Sequence, residues 1–180
     1  MSNALALLFA PSFLISLHYL EFKSVVLFYL FLSILFFIYS FFRKKTFKDL
    51  TIPGIYLLLL FFAYFSSSFE MVKFIPVLIS ATFFALFMDS TMHKKELILG
   101  FTKKFYKKEL SQKELLFLKD GDSFWALVTL INTLIQLALV FYGSNTLWAF
   151  YSSLGWYGFF FASLLVQIIY GKFYAIKLYS

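Results

Sequence analysis

TMHKKELILGFTKKFYKKELSQKELLFLKDG, residues 91–121, carries eight of the chain's sixteen basic residues, all of them lysine, and separates two long apolar runs. A lysine at the centre of a bilayer costs about 2.5–3.5 kcal/mol, so a stretch this rich stays on one side of the membrane. Both flanking runs must then enter the bilayer from that side. Working outward, six apolar segments can be read: Ala4–Leu20, Ser24–Phe42, Ile52–Phe69, Phe74–Met92, Phe124–Tyr142 and Thr146–Tyr170. Threading the chain through them places Arg43, Lys44, Lys45, Lys48, Lys172 and Lys177 with the eight lysines and leaves only Lys23 and Lys73 opposite. Basic residues are retained in the cytoplasm during insertion. The expected fold is therefore all-α: a polytopic membrane protein with six transmembrane helices, both ends cytoplasmic, forming one helical domain over residues 1–180.

Composition supports this class. The chain is 62% hydrophobic, 24% aromatic and 14% charged, whereas a soluble domain is nearer 45–50% apolar and about 25% charged. Each segment suits a hydrocarbon core of roughly 30 Å at 1.5 Å rise per residue. The net charge of +7 resides in the cytoplasmic segments, so it is read as a membrane-facing excess and not as a nucleic-acid signal. With no cysteine in the chain, disulfides, thiolate catalysis and cysteine-ligated metals are excluded. The N-terminus lacks a basic n-region, so a cleaved signal peptide is not expected. The expected location is the bacterial cytoplasmic (inner) membrane, with multiple passes.

The lysine-rich stretch has helical order of its own. Within residues 94–118, Leu97, Phe101 and Phe105 recur every fourth residue with Ile98 adjacent, while Lys94, Lys95, Lys103, Lys104, Lys107 and Lys108 take other faces. An apolar stripe flanked by lysines suits a helix lying on an anionic leaflet. The expected partners are anionic phospholipids and other inner-membrane proteins. Ser111 and Glu114 are spaced as a capping box for a further helical turn. Elsewhere, Pro11 lies within the first span and Thr51 and Pro53 are placed to open the third. Ser66 to Ser68 mark its exit, and Pro76 falls in the first turn of the fourth. Gly143, Ser144 and Asn145 make a turn short enough to require an antiparallel helical hairpin.

Polar side chains inside a bilayer point to function by default, and the fifth span holds most of them. Thr129, Asn132, Thr133 and Gln136 follow i, i+3, i+4, i+7 spacing and form one stripe, with Trp125 seven residues before Asn132. Lipid would leave the amides unpaired, so the stripe must face other helices or a wet cavity. It reads either as interhelical glue or as the lining of a ligand or ion path. In the sixth span Ser152, Gly155 and Gly158 permit close backbone approach, with Ser163 and Gln167 beyond. Trp125, Tyr142 and Trp148 fit interfacial aromatic belts. Asp89 and His93, one turn apart, read as an acid and a histidine among surface lysines; His18 lies at the opposite surface. No HExxH, P-loop, GxGxxG or nucleophile elbow occurs in the sequence, and no carboxylate sits at mid-span. A non-enzymatic protein without metal or cofactor is expected.

From Lys73-Phe74-Ile75-Pro76 through the basic connection to Trp125, Asn132 and Leu147-Trp148-Ala149-Phe150-Tyr151, the chain resembles a family of uncharacterised bacterial inner-membrane proteins found in aryl polyene biosynthesis clusters. Over nearly its whole length it is similar, more distantly, to the intracellular septation protein A family. The first resemblance implies handling of a membrane-bound lipid or polyene product, and the second a part in envelope maintenance and division. Neither implies an enzymatic activity. The positions matched residue by residue are Trp125, Asn132, Trp148 and Tyr151. The polyene-cluster pattern favours Asn where this chain has Ser80, Asn-Gly where it has Ser152-Ser153, and Glu where it has Gln167.

Overall fold

The computed structural model describes the chain apart from residues 1, 43–46, 106–109 and 178–180, and describes no side chains for residues 2–8, 47–49, 105, 172 and 174–177. In order the helices are α1 (Ser2–Tyr19), α2 (Phe22–Phe42), α3 (Phe47–Ser66), α4 (Phe69–His93), α5 (Leu97–Phe105), α6 (Gln112–Lys119), α7 (Gly121–Tyr142), α8 (Asn145–Phe150), a π-helical turn (Tyr151–Gly155) and α9 (Trp156–Lys177). No strand occurs among the described residues. Phe22–Phe42, Phe69–His93, Gln112–Tyr142 and Asn145–Gly171 are long and apolar enough to cross a membrane, while Leu50–Ser66 is apolar but shorter.

The helices pack as two compact units, Met1–Ile79 with Leu134–Gly155 and Ser80–Thr133 with Trp156–Ser180. In the first, α2 lies along α3, and α1 packs on α8 and the π-helical turn. Its core is aromatic. Phe13 stacks on Phe69 at 6.0 Å, and Phe69 meets the fully buried Trp148 edge-on at 5.4 Å. Trp148 donates its indole N–H to the carbonyl of Lys73 at 3.3 Å. The Lys73 ammonium sits 5.4 Å above the Phe69 ring, a cation–π placement that keeps the charged tip of an otherwise buried side chain favourably placed. Helix α2 is apolar on every face yet buries only Val25, Val26 and Ser40; Phe28, Phe31, Leu35 and Phe41 point outward. An apolar surface of this extent is stable against acyl chains and not against water.

Several local expectations change. Helix α3 begins at Phe47, so Thr51 and Pro53 lie within it and do not open it. Likewise α4 begins at Phe69, which moves Pro76 about two turns into the helix. In both cases the apolar run that signals the span starts later than the helix itself. Helix α3 does end at Ser66, where Ser67 takes a left-handed φ of 52°. After α7, Ser144 caps α8 by accepting the Leu147 N–H at 3.2 Å. Gln136, two turns before this corner, bonds Ser152, two turns after it, so the chain turns back antiparallel there. The basic segment is not one helix: α5 and α6 are separate, and the capping box of Ser111 and Glu114 opens α6.

Candidate functional site

Helix α7 buries one face. Asp122, Ala126, Thr129, Asn132, Gln136 and Val140 are buried at spacings of three or four residues, while Leu127, Ile131, Leu134 and Phe141 point out. The stripe expected from the sequence is thus one face of the helix, with Thr133 half-buried beside it. In the second unit Asn132 donates its amide to Ser80 Oγ at 2.8 Å, and Thr133 donates its hydroxyl to the same oxygen at 2.9 Å. Thr129 returns its hydroxyl to the Trp125 and Ala126 carbonyls. Trp125 donates its indole N–H to Gln167 Oε1 at 2.9 Å, its ring lying against Phe87 and Phe160. In the first unit, Gln136 Oε1 accepts the Ser152 hydroxyl at 3.1 Å. Of the positions that depart from the polyene-cluster pattern, Ser80 and Ser152 partner this stripe, Gln167 partners Trp125, and Ser153 bonds the Ala149 and Phe150 carbonyls. Two amide nitrogens, Gln136 Nε2 and Gln167 Nε2, are buried without a hydrogen-bond partner.

The aromatic belt reading is corrected at Trp148, which is fully buried. Trp148 is core, drawn in by Phe69 and the Lys73 carbonyl, and Trp125 is held by Gln167 and ring packing. Tyr142 alone is outward, at 91% exposure. The small-residue reading of the last span is corrected at Gly158, while Ser152 and Gly155 lie in the turn on which α1 packs. A Cβ on Gly155 would strike the ring of Tyr151 four residues earlier, at 2.7 Å, whereas Gly158 has nothing within 4 Å and so brings no neighbouring helix close. Tyr151 and Ser152 belong to the π-helical turn, whose widened backbone is common at functional positions. Ser163 bonds its own helix, at the Phe159 carbonyl.

Asp89 accepts from Lys95 and pairs with His93 at 2.9 Å, all three exposed. This is a surface ion pair of small energetic weight. Among the described residues no group of three metal-ligating side chains occurs. Of the basic residues assigned to lipid, Lys94, Lys103 and Lys104 are exposed and Lys95 is tied to Asp89, while Lys107 and Lys108 lie outside the described residues. Leu97 and Phe101 are outward at 43% and 64% exposure. Leu99, which the expected stripe omitted, is the buried one among the described side chains of α5.

The residue that sequence reasoning missed is Asp122. Only 2% exposed, its carboxylate accepts the Ser90 hydroxyl and the backbone N–H groups of Leu97 and Ile98, the latter two at 2.9 Å. The signal was available, since Asp122 continues the α7 stripe one turn before Trp125. Its partners lie 24 to 32 residues earlier in the chain, beyond the reach of local spacing.

Set beside known proteins, the chain matches no protein-family model, no curated protein and no solved structure. What the fold defines is a class: an all-helical chain with four helices built, in length and composition, to cross a membrane.

Proposed function

We propose that the chain is a non-enzymatic, six-span protein of the bacterial cytoplasmic membrane, with both ends inside, that supports envelope biogenesis or division by contacting anionic lipid and other membrane proteins. One observation carries this reading. Helix α5 turns Leu97 and Phe101 outward next to the exposed Lys103 and Lys104, while the α7 stripe is largely consumed in bonds to Ser80 and Ser152. Apolar side chains beside lysines form a surface that gains both insertion and charge attraction at an anionic leaflet. A stripe already bonded internally acts as glue between helices.

The resemblance to the septation family agrees with a part in the envelope. A second reading, a small carrier for a membrane-bound lipid or polyene product, is favoured by the unpartnered Gln136 and Gln167 amides, which a ligand's oxygen acceptor would satisfy.

The two readings separate in reconstituted bilayers. A dye on Gly100→Cys, where added atoms meet open space, reports the depth of α5 through quenching by brominated acyl chains. Quenching is expected to rise when anionic lipid replaces zwitterionic lipid and to fall back in Lys103→Gln/Lys104→Gln. Equal quenching in both lipids would count against the surface reading.

A further inference from the structure

We propose that Asp122 is the positioning residue for α5, setting which face of that helix meets the membrane; the membrane part of this rests on the function proposed above. A helix start leaves its first N–H groups without intrahelical partners, and a nearby side chain normally accepts them. Here the local residue does not. Glu96 supplies the carbonyl that begins α5, accepting the Gly100 N–H at 2.9 Å, but stands at φ 52° and sends its carboxylate to Lys119 at 3.1 Å. The N–H groups of Leu97 and Ile98 go instead to Asp122, 25 and 24 residues on.

Two N–H groups held by one rigid carboxylate fix the rotation of a helix about its axis as well as its position. With Leu97 and Ile98 so held, Leu99 faces inward at 3% exposure, and Leu97, Phe101, Lys103 and Lys104 face away. The carboxylate itself is held by Ser90 at the end of α4. Gly121 leaves the room this needs, since a Cβ there would come within 3.1 Å of Ile98 and 3.2 Å of Gln167 Nε2. The corner before α5 is also bent against preference, because Lys94 joins Glu96 in the left-handed region, at φ 50°. Such a corner persists only when contacts around it hold it. The Asp122 bonds do so, together with the Lys95 N–H given to the Ser90 carbonyl at 3.0 Å.

The test uses the full chain. Amide hydrogen exchange in detergent reads α5 docking, and the Gly100→Cys quenching measurement reads its depth in anionic bilayers. In Asp122→Asn, exchange across residues 97–105 is expected to rise about tenfold or more, as a local opening that leaves residues 126–140 protected. The quenching gained from anionic lipid should be lost, and Asp122→Glu, which keeps the charge, should recover part of both. Unchanged exchange at 97–105 would overturn the proposal, as would a rise shared equally by residues 126–140. Should Asp122→Asn fail to fold, Ser90→Ala removes one of the three bonds and leaves the carboxylate. A rise of about threefold confined to 97–105 supports the clamp, and no rise overturns it. A parent chain whose quenching ignores lipid charge would overturn the membrane reading, while the exchange result still decides the clamp.

Discussion

Within the α7 stripe the side chains differ in what they hold. Asn132 and Thr133 share one acceptor, Ser80 Oγ, in a buried site. Gln136 makes one bond through its oxygen and leaves its nitrogen buried without a partner. Removing a satisfied polar group and removing a half-satisfied one have different consequences. Asn132→Leu is expected to lower stability in detergent by about 0.6–1.7 kcal/mol, the range for interhelical bonds in membranes. Gln136→Leu should be within about 0.5 kcal/mol of the parent, because the lost bond is offset by the lost unpaired donor. Thermal unfolding of the two variants checks the contrast. Equal losses would mean that the Gln136 nitrogen has a partner in the membrane. The 3–4 spacing of polar residues made this face legible in the sequence. Its partners were not legible, because Ser80 and Ser152 are polar residues whose register against α7 depends on how the helices pack.

Among the elements, α5 shows most plainly where sequence reading stops. Its helical character and lysine content follow from local spacing, but the inward Leu99 does not, since the rotation of α5 is set by Asp122 from a distant helix. Trp148 is similar. A tryptophan near a span end reads as interfacial until Phe69 and the Lys73 carbonyl enclose it. Glycine separates local from tertiary effects within α5's surroundings. Gly100 has nothing within 4 Å of an added Cβ, so Gly100→Ala should stabilise α5 by about 0.5–1 kcal/mol through backbone entropy alone. Gly121→Ala should instead cost about 1–3 kcal/mol, the range for overpacking, by pressing Ile98 and Gln167 apart. Hydrogen exchange across residues 97–105 measures both: slower in the first variant, faster in the second. A silent Gly121→Ala would show that α5 is not closely seated there.

For the molecule as a whole, the proposed orientation rests on the asymmetry of basic residues, and the cysteine-free background lets it be mapped directly. Single cysteines in place of Ser111 and Ser144 should react with an impermeant maleimide from opposite sides of the membrane, the first from the cytoplasm. Reaction of both from one side would remove the topology proposed here. The span count is legible from hydropathy only where a segment clears the length of a bilayer. Phe22–Phe42 does so, and the apolar part of α3, Leu50–Ser66, lies at the lower limit of about 17 residues, so the lysines around it bear on its placement as much as its own residues do. The most direct test of function is mass spectrometry of lipid extracts, with cell length recorded alongside, from a deletion strain complemented by Lys103→Gln/Lys104→Gln or by Asn132→Leu/Gln136→Leu. The expected result is an unchanged lipid profile throughout, with abnormal cell length or envelope fragility corrected by the stripe variant and not by the lysine variant. A lipid-linked or polyene precursor that accumulates in the deletion strain, and is cleared by the lysine variant but not by the stripe variant, would contradict the envelope-contact function and establish the carrier.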